Sequence, residues 1–183
     1  CQELGISRTP VREALLELQK EDYIRFCRGK GIQIVTLDDK AIHDILEMRI
    51  YLEMAGAELA AQRATAADLD YIKECLESNQ RHRSTDNIIQ NYRMDHQFHR
   101  SVAKAAHNNL LYNTLDDVLN HYLRFETLTV YQSQTSSQSI VDEHQALYEA
   151  VKNRNAQQAR QAAASHLENA YRRTLGNYWT KKP

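Results

Sequence analysis

Gly5-Ile6-Ser7-Arg8-Thr9-Pro10-Val11-Arg12-Glu13-Ala14-Leu15 is the stretch on which the reading of this chain turns. A glycine turn is followed by Ser7 and Thr9, either of which can cap a helix. Pro10 suits a first helical turn, because the amide it lacks would have no partner there. The amphipathic helix that follows carries Arg8 and Arg12 on its leading end. Beyond it, Tyr23-Ile24-Arg25-Phe26-Cys27 and Ile32-Gln33-Ile34-Val35 are β-prone runs around the basic turn Arg28-Gly29-Lys30-Gly31, the pattern of a hairpin. A glycine turn between two helices, with arginines opening the second, is what a helix-turn-helix needs to point a recognition helix into a DNA major groove. The hairpin then serves as a wing. A merely solvated basic helix does not explain why cap, proline, arginine spacing and hairpin occur in this order.

Composition sets the outer bounds. A chain of 183 residues holds one full domain and a small second one. With 42% hydrophobic and 26% charged residues it reads as an ordinary globular protein, and a net charge of -1 excludes a general polyanion binder. A small basic surface on a mildly acidic protein remains compatible with that charge. No apolar run approaches the roughly 20 residues of a membrane span, and no secretory segment opens the chain, so no membrane partner is expected. Cys1, Cys27 and Cys75 are odd in number and scattered, without a CxxC, which fits reduced thiols and a cytoplasmic location.

From Thr36 the character changes. Only Gly56, Gly176 and Pro183 among the glycines and prolines lie past Val35, and apolar residues recur at three- and four-residue spacing. Thr36-Leu37-Asp38-Asp39 reads as linker and cap. Six helices are then predicted: about 40–64, with Ile42, Ile45, Leu46, Ile50, Met54 and Leu59 on or near one stripe; from a capping-box-like Thr65-Ala66-Ala67-Asp68 to about 82; from Ser84-Thr85-Asp86 to 106; about 110–131; about 140–152; and about 156–177. Gln132 to Ser139, polar and Ser/Gln-rich, reads as a mobile loop, and Asn153-Arg154-Asn155 as a tight turn. The fold class is mainly α, a small helix and hairpin unit followed by an antiparallel six-helix bundle.

Inside the bundle, Asp95 and His99 stand four residues apart, so on a helix their Cβ atoms lie roughly 5–6 Å apart on one face. His144 lies nine residues before Asn153 and His166 eleven after Asn155. At helical rise these are heights of roughly 13 and 16 Å from the turn. In an antiparallel hairpin the two imidazoles therefore reach nearly the same level. Three histidines and an aspartate suit a borderline divalent ion, zinc first, with nickel and manganese as alternatives, and leave positions for water or ligand.

Ser7-Arg8-Thr9-Pro10-Val11-Arg12-Glu13-Ala14-Leu15 closely resembles the recognition-helix signature of the GntR family of bacterial transcription regulators. The segments Asp95-His96-Gln97-Phe98-His99, Glu143-His144 and Ser165-His166-Leu167 resemble the metal-binding motifs of the FCD effector domain in the FadR-like branch of that family. The resemblance implies that Ser7, Arg8, Thr9 and Arg12 contact phosphates and base edges, with Arg28 and Gly29 at the wing tip reaching an adjacent groove. It also implies that Asp95, His99, His144 and His166 hold a metal at the floor of a ligand cavity where Arg49 and Arg124 bind an effector. Asn108 is better explained as a helix cap. His43, His82, His96, His107 and His121 match no ligand position and are read as ordinary polar residues. Because the chain opens at Cys1, inside what would be the second helix of a winged domain, it is read as an N-terminally truncated fragment.

The domain expectation is thus a partial winged helix-turn-helix at 1–36, a linker at 37–40, and an effector, metal-binding and dimerisation domain at 41–183. The expected function is that of a homodimeric, cytoplasmic transcription regulator whose helical domain binds a divalent metal and a small carboxylic-acid metabolite that modulates binding to operator DNA. The competing reading is a metal-dependent hydrolase in which the Asp/His₃ set activates water. Against it, the chain lacks HExxH and the paired Glu-x-x-His motifs of di-metal bundles, so no enzymatic activity is expected.

Overall fold

The computed structural model describes residues 5–83, 87–129 and 137–179. The chain divides into two compact units, Cys1–Asp39 and Lys40–Pro183. In the first, helix α1 (Arg8–Lys20) precedes strands β1 (Ile24–Cys27) and β2 (Gly31–Ile34). Ser7 is the N-cap in extended conformation, but its side chain makes no capping hydrogen bond, and Thr9 lies inside the first turn rather than at the cap. Pro10 is third in the helix, still among the amides that lack an intrahelical acceptor. The helix ends where Asp22 takes a φ of 55°, with Asp22 N–H donating to Gln19 O (3.1 Å) and Tyr23 N–H to Leu18 O (2.8 Å), the paired bonds of a Schellman stop.

The strands pair antiparallel, Ile24 with Ile34 and Cys27 with Gly31. Lys30 N–H closes the turn on Cys27 O (3.0 Å), and Gly29 and Gly31 sit at φ 76° and 77°, where L side chains are strained. No residue of α1 is buried within this unit. Its face combines with Phe26 in an open depression lined by Arg8, Val11, Arg12, Leu15 and Leu16.

Among the described residues, the second unit is an antiparallel bundle of six helices: α2 (Asp39–Arg63), α3 (Ala66–Arg83), α4 (Ile88–Ala105), α5 (Asn109–Thr129), α6 (Ser137–Lys152) and α7 (Ala156–Trp179). Among the described residues, no helix is long and apolar enough to cross a membrane. The core cluster runs through Ala57, Ala60, Ala61, Ile72, Leu76, Phe98, Val102, Leu147, Val151, Ala159 and Ala163. Its many alanines let the helices approach closely while α4 passes through the centre. Gly56 brings α2 close to Ala103 and Leu111. The buried face of α2 is Ile42, Leu46, Arg49, Glu53, Gly56, Ala57, Ala60 and Ala61, whereas Ile45, Ile50, Met54 and Leu59 are only half-buried. The stripe read from hydrophobicity is thus rotated, because the inward face carries an ion pair.

Local chemistry sets the helix ends. Asn87 Oδ1 accepts from Gln90 N–H (3.0 Å) at the start of α4, so the described cap follows the expected Ser84-Thr85-Asp86 start, which lies outside the described residues. Asn108 Oδ1 accepts from Leu111 N–H (3.1 Å) at the start of α5. Residues 130 and 131, in the expected end of that helix, also lie outside them, as do Cys1 and residues 132–136 of the expected loop. Its last three residues are helical instead, and Gln138 Nε2 donates to Asp142 Oδ1 (2.9 Å) one turn on. The expected Asn153-Arg154-Asn155 turn is a second Schellman stop, with Arg154 at φ 59° and Asn155 N–H on Ala150 O (3.0 Å). Asn155 Oδ1 then caps α7 through Gln158 N–H (3.0 Å).

The Thr65/Asp68 box is reciprocal: Thr65 N–H and hydroxyl donate to Asp68 Oδ2 (2.8 and 2.7 Å), and Asp68 N–H donates to Thr65 Oγ1 (3.2 Å). Partial burial works against the Asp68 charge, but Thr65 and His107 outweigh it and hold this carboxyl below its ordinary range. Asp68→Ala should therefore cost about 0.5–2 kcal/mol at neutral pH. A lowered carboxyl pKa contributes stability above its unfolded value and loses it as pH falls through the folded one. Urea midpoints of wild type and Asp68→Ala should converge in acid. Equal midpoints at neutral pH would remove the box from the account of the α2–α3 corner.

Candidate metal centre

Asp95 and His99 project from the inner face of α4, His144 from α6 and His166 from α7, and all four are buried. The predicted levels hold: His144 Nε2 and His166 Nε2 lie 3.2 Å apart. Asp95 Oδ2 is 3.5 Å from His99 Nε2, and Asp95 Oδ1 is 3.8 Å from His144 Nε2. One ligand atom from each of His99, His144 and His166 lies within 4.8 Å of the others.

What turns these nitrogens inward is a partner behind each ring. His99 Nδ1 faces Glu53 Oε2 on α2 at 2.5 Å. His144 Nδ1 donates to Asn79 Oδ1 on α3 (3.2 Å). His166 Nδ1 donates to Glu143 Oε2 (2.7 Å), and Glu143 is itself held by both Arg173 guanidinium nitrogens (3.1 and 3.0 Å) and by Asn169 Nδ2 (2.9 Å). At His144 and His166 an acceptor at Nδ1 fixes the proton there and leaves Nε2 as a lone pair, while at His99 the Glu53 carboxylate faces the ring as a charge partner. Three imidazole nitrogens and a carboxylate then face one point in the buried interior.

This donor set fits a borderline divalent cation. His99 Nε2 is buried with no hydrogen-bond partner among the described residues. Two nitrogens bound to one tetrahedral zinc at about 2.0–2.1 Å would stand about 3.3 Å apart, against the 3.2 Å between His144 and His166.

The electrostatics are polarised around this point. Burial opposes charge on Glu53, but His99 and Arg49 overcome it and hold its carboxyl down to about 2. Glu143 is likewise lowered to about 2, burial being outweighed by His166 and Arg173. Burial pushes His166 down despite Glu143, whereas at His99 burial is the largest influence but Glu53 and Asp95 together overcome it and push the imidazole up. Arg49 donates its Nε to Glu53 Oε1 (2.6 Å), and its Cζ lies 4.7 Å from the centre of the Tyr122 ring. Burial opposes its charge, but Glu53, Tyr122, Asp95 and Glu126 together keep it firmly protonated.

Of the expected effector arginines, Arg49 is thus buried beside the triad, and Arg124 is half-buried on α5. Ser7, Arg8, Thr9, Arg12, Arg28 and Gly29 are all exposed on the first unit. Sequence reasoning missed Glu53, Asn79 and Glu143 as the groups orienting the triad. Glu53 carried a faint signal, four residues after Arg49, and Glu143 adjoins His144; Asn79 carried none. His96, read as an ordinary polar residue, is fully buried, stacks on Tyr122 at 5.7 Å and faces Glu126. His107 stays at the surface against Asp68 (2.8 Å).

A histidine-lined helical bundle following a helix and hairpin unit defines a class, and comparison with known proteins gives its name. Residues 44–169 match the FCD domain family. The HTH-type transcriptional regulator YdhC of Bacillus subtilis (strain 168) is 29% identical, the match covering 89% of this chain and 73% of that protein. The Glc operon transcriptional activator of Escherichia coli (strain K12) is 27% identical over 91% of this chain and 74% of its own length. The solved structure of E. coli McbR/YncC shares the fold, with a TM-score of 0.83 at 19% identity over 97% of this chain and 84% of that one. The chain belongs to the GntR family of transcriptional regulators, in its FadR-like branch with an FCD domain. These relatives are regulators, not enzymes, which disposes of the hydrolase alternative.

The groups behind the rings yield a direct expectation. For a zinc ion held by the triad, Asn79→Ala and Glu143→Ala would each weaken binding by about 10–100-fold, because each leaves one imidazole free to turn or change tautomer. Competition titration with a chromophoric chelator measures this. Affinities matching wild type in both variants would show that packing alone orients the triad.

Proposed function

We propose that this regulator binds operator DNA through residues 1–36 and senses a small carboxylic acid through residues 41–183, joined by the linker at 37–40. In this reading Asp95, His99, His144 and His166 hold a divalent ion, zinc in the first instance. The observation that carries it is the meeting of three imidazole nitrogens, with Asn79 and Glu143 hydrogen-bonded behind His144 and His166 and the Glu53 carboxylate facing His99. The bound ion supplies a Lewis-acidic position for an acid's oxygen. Arg49 and Arg124 would anchor the carboxylate by charge-assisted hydrogen bonds. A set that leaves coordination positions open suits reversible capture of a ligand better than a closed structural site does.

On the DNA side, Ser7, Arg8, Thr9 and Arg12 would contact phosphates and base edges from the leading end of α1. Arg28 and Gly29 at the hairpin turn would track an adjacent groove. The exposure of all six residues supports this reading. A cytoplasmic homodimer matching a two-fold operator completes the proposal. Reciprocity then requires acid and operator to change each other's affinity by the same factor.

Arg8→Ala and Arg12→Ala in the full-length regulator should each cost about 1–3 kcal/mol of operator affinity, while Arg28→Ala should mainly reduce its salt dependence. Gel-shift titrations at two salt concentrations measure both, and undiminished binding by the two α1 variants would remove the recognition-helix reading. For the metal, an ion at a hundredfold excess over its Kd adds about 2.7 kcal/mol, so chelation should lower the melting temperature. Acidification below about pH 6 should release the ion, because protons compete for the same lone pairs. His144→Ala and His166→Ala should abolish the chelator effect. A melting curve that ignores chelator, in protein shown to carry zinc beforehand, would refute the stabilising role.

A further inference from the structure

The groups behind the three rings are not alike. Glu53 faces His99 and Glu143 accepts from His166, but the partner behind His144 is the amide of Asn79, and both Asn79 and His144 are fully buried. An ionised carboxylate can only accept, and Glu143 also takes hydrogen bonds from Asn169 and Arg173. The hydrogen of His166 therefore stays on Nδ1, and its Nε2 is a lone pair. An amide has two edges, an oxygen that accepts and an NH2 that donates. A half-turn about the Cβ–Cγ bond exchanges them with almost no change of shape.

His144 Nε2 lies 3.2 Å from His166 Nε2, with the ring centroids 4.5 Å apart. Two lone pairs at that distance repel, so the contact calls for a shared cation or for a hydrogen between the nitrogens. With a cation, His144 leaves Nε2 bare and carries its hydrogen on Nδ1, where Asn79 Oδ1 accepts it at 3.2 Å. With a hydrogen instead, His144 Nε2–H donates to His166 Nε2, since Asp95 Oδ1 at 3.8 Å is too far to accept. Nδ1 of His144 is then the lone pair, and the NH2 edge of Asn79 is what meets it. A carboxylate behind His144 would support the first arrangement and oppose the second.

We propose that Asn79 is a two-way positioning residue whose amide turns over as His144 changes tautomer, so that one side chain serves the centre both with metal and without it. The imidazole stays neutral in both arrangements, because one hydrogen leaves Nε2 for water as another is taken from water at Nδ1. The proposal rests on the reading that the histidines hold a divalent ion, and the test separates the two. Isotope-labelled protein is stripped with chelator, then reloaded with zinc, and its zinc content is measured in each state. Long-range proton–nitrogen correlation NMR distinguishes a ring nitrogen that bears hydrogen from one that bears a lone pair. The His144 signals are those missing from His144→Gln. In stripped protein the hydrogen of His144 should sit on Nε2, and zinc should move it to Nδ1, while His166 keeps its hydrogen on Nδ1 throughout. Asn79→Asp, whose carboxylate accepts only, should hold a hydrogen on His144 Nδ1 in both states, so the reversal is lost. Should that variant fail to fold, the wild-type spectra decide alone. A His144 hydrogen on Nδ1 in stripped wild type, or a reversal that survives in Asn79→Asp, overturns the two-way role and leaves the metal reading standing. Failure of the wild type to take up zinc overturns both.

Discussion

Three imidazole nitrogens facing one point are the constraint around which the bundle is arranged. Bringing such nitrogens together without a cation is unfavourable, and the polar groups behind the rings work against that cost. Glu53 comes from α2, Asn79 from α3 and Glu143 from α6, with Arg173 and Asn169 of α7 holding Glu143 in turn. Five of the six helices therefore contribute a polar group to one centre, and α5 joins through Tyr122, which stacks on His96 and carries Arg49. A shift of any one helix along or about its axis would mis-set at least one ring.

Such a centre is a poor source of stability by itself. Buried ion pairs commonly do no better than apolar replacements of the same shape, although removing one partner is costly. The stabilising burden falls on the apolar cluster around them, where Phe98 stacks on His144 at 4.4 Å and the alanines of α2 and α7 allow close helix approach. The polar interior instead gives the fold one definite arrangement. This explains why the inward face of α2 carries Arg49 and Glu53 among Ile42, Leu46 and Ala57. A pure packing helix would have placed apolar side chains there.

The first unit obeys a different economy. Its helix buries nothing within the unit, and its two strands are four residues each. What it holds firmly is shape: a Schellman stop at Asp22 and a turn at Gly29 set the helix and hairpin, and the basic residues Arg8, Arg12 and Arg28 stay exposed.

Local rules were legible in the sequence alone. The scarcity of Gly and Pro after Val35, the period of the apolar residues and the capping signals placed six helices within a few residues of their observed ends. The i, i+4 pair Asp95/His99 and the equal heights of His144 and His166 followed from helical rise. These features depend only on neighbours in the chain, which the backbone geometry of a helix relates in a fixed way. Tertiary structure decided which side of each helix turns inward, and that cannot be read from one helix because it depends on how its neighbours rotate. It turned Arg49 and Glu53 into the core in place of Ile45 and Ile50, set Asn79 behind His144 across 65 residues of sequence, and buried His96 against Tyr122 while leaving His107 at the surface. The meeting of Asp95, His99, His144 and His166 was therefore legible from helical spacing together with the family resemblance, whereas the groups behind the rings come together only once the helices have packed.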